Sequence, residues 1–371
     1  MRHAIWKRLG YLAYLFAVTF IVLEILLRLY NPFQFRLKYN KLILPISQQQ
    51  VIKNTINDKL DATIINRRNA LGFRGEEKPA DFSTKLSIIT VGGSTTECHF
   101  LSEGKTWPDM VAKGLKSMFK NTWLNNAGFD GHSTFGHQVL LNDHLKILKP
   151  KVVLFLVGIN DIENDQPTFH DKLNTKGAYA DFKHFIFTNS EVLNLGLNLV
   201  RGWRSQRVNN TTHYPINLIR YDTLVLSDAQ QKERLAIQDK YLPNFQRRIG
   251  ELIDTCQAYG ILPVFLTQPN LAGVGKDSIT GANLETIDVG DHLNGKLLWN
   301  ILERYNIETI KTCQEKGVDV IDIARQLPKS SLYFYDVSHY TNEGARKLAT
   351  IITPALTNIL RQRFPGYYFM Q

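Results

Sequence analysis

Residues 86–97 read Leu-Ser-Ile-Ile-Thr-Val-Gly-Gly-Ser-Thr-Thr-Glu. The first six are rich in β-branched side chains, the pattern of a short buried strand. Gly92 and Gly93 allow a tight turn, and Ser94 opens a segment with helical character. A strand that passes into a helix through glycines constrains the rest of the chain, because parallel α/β sheets are built from such units. It also sets Ser94 at the sheet's carboxyl edge, where open α/β folds hold their ligands. Three readings stay open from these residues alone. Ser94 is a candidate nucleophile, a helix N-cap closed by Glu97 three residues on, or part of a phosphate-binding loop. Against the last stands the lack of a Lys-Ser/Thr pair after the glycines.

Further strand-length apolar runs fall at residues 122–125, 151–157, 261–267 and 318–323. Between and after them come segments with helical periodicity at 106–119, 134–148, 230–259, 292–316 and 342–361. The run at 151–157, Lys-Val-Val-Leu-Phe-Leu-Val, is almost unbroken in its apolarity, as expected where helices cover both faces of a strand. The alternation predicts an α/β fold, a three-layer sandwich with a central parallel sheet. Residues 162–229 depart from it and read as an insertion. Within it, 191–203 form an amphipathic helix candidate with Val192, Leu193, Leu195, Leu199, Val200 and Trp203, ending among Arg201, Arg204 and Arg207. Such a helix suits core packing, a lid or a membrane surface.

Residues 9–29 are dominated by Leu, Ile, Val, Phe, Ala and Tyr, long enough as a helix to cross a bilayer's hydrocarbon core. Arg2, Lys7 and Arg8 precede the run and favour a cytoplasmic amino terminus, although Arg28, Arg36, Lys38 and Lys41 lie beyond it. Glu24 and Arg28 stand at i,i+4 spacing, able to pair on one helix face. No small-residue cleavage site follows, so the run reads as an uncleaved anchor, with a soluble amphipathic or buried helix as the alternative. The expected organisation is a transmembrane anchor at 1–30, a polar stalk and lead-in at 31–84, the main domain at 85–361 and a tail at 362–371. The domain is expected in the periplasm or outside the cell.

The formal charge of +10 would suit an anionic surface, but the basic residues are scattered, so no nucleic-acid partner is expected. Cys98, Cys256 and Cys313 admit at most one disulfide and no zinc motif. Cys98 is close enough to the start of the Ser94 helix for some thiolate stabilisation, but reads as a structural thiol. His99, His132 and His137 share no ligand spacing with a cysteine pair, so neither metal nor cofactor is expected. His132 follows Gly131 and is expected to face the substrate, and Asp161 to orient or cap.

The last chemical element is Asp-Val-Ser-His-Tyr at 336–340. A carboxylate three residues before a histidine on one loop is able to fix its tautomer, leaving the other nitrogen to take a serine proton. Taken together, Gly-Gly-Ser at Ser94, the glycine turn ending at Gly131, Gly-x-Asn-Asp at Asn160 and Asp-x-x-His at Asp336 and His339 occur in the order of the four sequence blocks of the SGNH (GDSL-like) hydrolases. The chain resembles that superfamily over about 85–360. The resemblance implies that Ser94 is the nucleophile, Asp336 and His339 complete the catalytic set, and the oxyanion hole comes from Ser94, Gly131 and Asn160. Gly93 departs from the aspartate of many members. Together with Gly-Phe-Arg-Gly at 72–75, it is similar to a bacterial, often membrane-anchored subset, although by itself 69–75 reads as a turn. The implied activity is a serine esterase acting through an acyl-enzyme on an acetyl or short acyl ester of a carbohydrate or cell-envelope substrate. The alternatives are an O-acyltransferase, a lipase or lysophospholipase, or a non-catalytic membrane-tethered binding module. The expected partners are thus a small-molecule or polymer ester and, through the anchor, a membrane.

Overall fold

The structure is a computed structural model that describes residues 2–32, 37–38, 41–42, 44–168, 171, 189–207, 213 and 215–369. Parts of the expected insertion, 169–170, 172–188, 208–212 and 214, lie outside the described residues, as do 370–371 of the tail. Two units make up the chain, Met1–Pro45 with Lys172–Thr212, and Ile46–Asp171 with His213–Gln371.

The first unit is built on α1, Arg2–Leu29. Its segment Trp6–Leu29 is long and apolar enough to cross a membrane or to be a signal sequence, and none of its residues is buried. A second helix, Glu191–Arg207, packs on it.

The second unit carries the sheet. An antiparallel ribbon of β1, Gln48–Lys53, and β2, Thr63–Arg68, comes first. A six-stranded sheet follows, made of β3 (Arg74–Gly75), β4 (Leu86–Gly92), β5 (Thr122–Asn126), β6 (Val152–Leu156), β7 (Leu262–Leu266) and β8 (Asp319–Ile321). Its order is β8-β7-β6-β4-β5-β3, parallel throughout except for the edge strand β3, which runs antiparallel to β5. This is the α/β architecture with a mostly parallel central sheet that the alternation of runs predicts. Every side chain of β4, β5 and β6 is buried, which explains why these strands lack polar alternation.

The helices of this unit include α2 (Ser94–Glu97), α3 (Trp107–Lys116), α4 (Thr134–Leu140), α6 (Asp228–Ile237), α7 (Leu242–Ala258), α8 (Gly295–Glu315) and α9 (Asn342–Arg363), the first unit's helix Glu191–Arg207 being α5. Helices α3 and α9 pack together, while α7 packs on α4 and α8. Residues 230–259 do not form one helix. Pro243 has no N–H to donate, so the chain breaks through a short 3-10 turn at Gln238–Lys240 and restarts as α7. The tail packs through Tyr368, whose ring meets Phe119 edge-on at 5.2 Å.

The chain leaves β4 for β5 on one side and then crosses to β6 on the other. The carboxyl end of β4 is therefore a topological switch point, where adjacent connections diverge and leave a crevice.

Candidate active site

Ser94 stands at that switch point as the first residue of α2. It is not the N-cap. Gly93 takes that position, and the Ser94 hydroxyl points away from the helix amides to lie 2.8 Å from Nε2 of His339. Nor does Glu97 close a capping box. Its carboxylate pairs with the buried Arg68 and accepts the Asp130 amide at 2.5 Å. Glu97 thereby ties the Ser94 helix to the turn that carries Gly131.

The histidine loop is held by its own carboxylate. Asp336 Oδ1 accepts from the amides of Ser338 (2.8 Å) and His339 (2.7 Å), and Oδ2 lies 2.6 Å from Nδ1 of His339. A proton on Nδ1 satisfies Asp336 and leaves the Nε2 lone pair to accept from the Ser94 hydroxyl. All three side chains are nearly enclosed, Ser94 and His339 at 6% exposure and Asp336 at 4%.

The two remaining blocks approach the same point. Gly131 takes φ +69, a left-handed conformation open to glycine. It sits between Asp130, bonded to Glu97, and His132, whose carbonyl accepts from Asn160 Nδ2 at 2.9 Å. One amide proton of Asn160 is so engaged, and the second is available to another acceptor. A Cβ on Gly93 would stand 2.3 Å from Asn160 Nδ2. A side chain at position 93 would therefore collide with the Asn160 amide unless that amide moved.

Asp161 accepts from the Thr134 amide (3.0 Å) and hydroxyl (2.5 Å), fixing the start of α4. Burial raises its pKa, although Arg248 and Thr134 pull the other way. His132 does not face a substrate; it is 1% exposed and packs between Phe129 and His137. His137 is also enclosed, and burial lowers its pKa to about 3. The three cysteines are free and buried, and desolvation pushes each thiol up to about 12. Burial overrides any gain to Cys98 from the helix, so it is an inert packing thiol.

The sequence left the roles of two residues unassigned. Arg74, fully buried, donates to the carbonyls of Glu97 (2.8 Å), Cys98 (2.7 Å) and Leu101 (2.7 Å) and pairs with Glu103. The Gly-Phe-Arg-Gly element is therefore more than a turn, since its arginine braces the segment that follows the serine. The other is His213, whose ring lies over that of His339 with centroids 4.0 Å apart. Its Nδ1 is 2.9 Å from the Tyr335 hydroxyl and its Nε2 3.7 Å from Asp130. A lone histidine far from every motif gives no sequence signal. Potential ligand atoms of His213, Asp336 and His339 lie within 4.8 Å of one another. Within this grouping Asp336 engages Nδ1 of His339 at 2.6 Å, and the His213 ring packs tilted at 36° against that of His339.

An α/β domain that presents hydroxyl, imidazole and carboxylate in series at its switch point has the layout of a hydrolase that works through serine. The model of the GDSL-like Lipase/Acylhydrolase family matches residues 89–347, and the chain belongs to that family of serine ester hydrolases. Solved structures similar to it include LAE5, an alpha/beta hydrolase from the metagenome of Lake Arreo in Spain (14% identity, TM-score 0.43, covering 74% of this chain and 97% of that one). Another is a catalytic mutant of the acetylxylan esterase Axe2 from Geobacillus stearothermophilus (12% identity, TM-score 0.41, 72% and 93%). A third is the lipase/acylhydrolase from Enterococcus faecalis (13% identity, TM-score 0.40, 75% and 96%). No curated protein matches the chain.

Proposed function

We propose that Ser94 is the nucleophile of an esterase that removes acetyl or other short acyl groups from a carbohydrate or cell-envelope substrate, with α1 retained as a membrane anchor. The observation that carries this reading is the unbroken series from the Ser94 hydroxyl through His339 to Asp336. Serine is a weak nucleophile until a base takes its proton. His339 Nε2 takes it as Oγ attacks the ester carbonyl, and Asp336 stabilises the imidazolium that forms. The Ser94 and Gly131 amides and the Asn160 side chain receive the negative charge that develops on the carbonyl oxygen. Such donors lower the barrier because they act more strongly on the oxyanion than on the ground-state carbonyl. His339 then protonates the departing alcohol and activates water to release the acyl group.

The space beside Ser94 supports a short acyl chain. It is a cavity of about 10 Å³ walled by Cys98, Phe100, Leu101, Tyr335 and Tyr340, about the room one water needs. Two larger grooves, about 340 and 460 Å³, lie by Lys59 and Arg346 and by Lys113 and Pro354, and neither is lined by Ser94 or His339. Their size does not outweigh the absence of a nucleophile.

An acyl-length series tests the substrate reading. The expected order is acetyl above butyryl, with octanoyl esters nearly inert; preference for octanoyl esters would reject it. Product analysis with an added sugar acceptor separates hydrolysis from acyl transfer, and dominant transfer would replace the hydrolase by the acyltransferase.

A further inference from the structure

The acidic residue inside α1 has a specific partner. Glu24 accepts from the Ser190 hydroxyl (2.9 Å) and from the amides of Glu191 (3.0 Å) and Val192 (3.1 Å), the first donors of α5. Arg28 bonds Glu24 at 2.9 Å and reaches the Asn189 carbonyl, and Asn31 bonds Glu191 at 3.2 Å. A carboxylate in an apolar helix is otherwise unfavourable in a bilayer. Here it caps another helix, satisfying amides that have no partner within α5.

Helix α5 exposes apolar side chains at one end. Over its apolar part, Glu191–Val200, Asn194 and Asn198 are buried and Val192, Leu193, Leu195 and Leu197 partly so, whereas Leu199 and Val200 are 56% and 47% exposed. Apolar side chains left in the open beside a basic segment suit a membrane boundary. The ten residues of this part make a helix of about 15 Å, too short to span a core of about 30 Å. Glu24 lies five residues inside the end of α1, a depth of about 7.5 Å, which matches the roughly 5–10 Å at which interfacial helices sit. Beyond Val200 the sequence continues Arg-Gly-Trp-Arg-Ser-Gln-Arg, a composition suited to anionic headgroups.

We propose that α5 is an interfacial membrane helix, clamped by Glu24 to the end of α1, with Leu199 and Val200 in the acyl-chain boundary of an anionic bilayer. This rests on the reading of α1 as a retained anchor, and it gives that retention a physical reason. Removing α1 would strip α5 of its cap.

The test uses the full chain in vesicles of phosphatidylcholine and phosphatidylglycerol whose acyl chains carry bromine. An environment-sensitive maleimide dye is placed separately at Phe16→Cys in α1, Leu199→Cys in α5 and Val225→Cys, an exposed position of the second unit. The native cysteines are buried and remain unlabelled. The expected result is quenching and a blue shift at the Phe16 and Leu199 sites and neither at Val225. Quenching at Phe16 but not Leu199 would overturn the proposal and leave the anchor standing. No quenching at Phe16 would reject the anchor, and the proposal with it. In a Glu24→Leu background the Leu199 signal is expected to fall while the Phe16 signal holds, and Glu24→Gln, which keeps one acceptor oxygen, is expected to restore much of it. A Leu199 signal indifferent to Glu24→Leu would overturn the clamp.

Discussion

Gly93 shows how narrowly the proposed oxyanion site is built. The nearest atom to a Cβ there is the amide nitrogen of Asn160, the movable end of a side chain. Gly93→Ala should therefore displace Asn160 rather than unfold the sheet. We expect kcat/KM to fall by about a hundredfold, as when one oxyanion donor is lost, with the melting temperature nearly unchanged; an unchanged rate would argue against Asn160 as a donor. His137 makes a different prediction. Burial keeps its imidazole neutral in the folded chain down to about pH 3, whereas the unfolded chain takes up that proton near pH 6.5. The unfolded state thus holds more protons between those values, so stability falls as pH falls through that window, by about 1.4 kcal/mol per unit. Between pH 7 and 5 the wild type should lose about 2 kcal/mol more than His137→Leu in urea titrations, and equal losses would contradict the neutral assignment. At this scale the sequence was informative where chemistry is carried by short local motifs, as at Asp336 and His339. It misled at His132, where adjacency to Gly131 suggested a substrate-facing ring that packing turns inward. His213 was silent, because its meeting with His339 depends on the whole fold.

Among the elements, the strands were the more legible, since apolar runs covered on both faces leave little ambiguity. Helix boundaries were less so. Hydrophobic periodicity carried the 230–259 reading straight across Pro243, where the missing amide breaks the helix. The edge strand β3 was hidden for another reason, since two residues give no periodicity at all. Its worth lies in Arg74, which holds three carbonyls at and just beyond the end of α2. Arg74→Leu leaves those acceptors and Glu103 without their buried donor, and we expect a loss of about 3–5 kcal/mol by chemical denaturation. A loss below about 1 kcal/mol would show that water replaces the guanidinium.

For the whole molecule, strand-helix alternation foretold the sheet, but no local pattern could reveal that Lys172–Thr212 groups with the amino-terminal helix rather than with the sheet. The proposed topology makes a direct prediction. A reporter fused after Gln371 should be active outside the cytoplasm, and activity inside would reverse the orientation of α1. Whatever the orientation, the esterase reading depends on a serine activated by an imidazole across more than two hundred residues of chain. Labelling by a fluorophosphonate tests this most directly: the wild-type chain should react covalently, and Ser94→Ala, with its fold intact by circular dichroism, should not. Equal labelling of both would contradict the assignment of Ser94 as nucleophile.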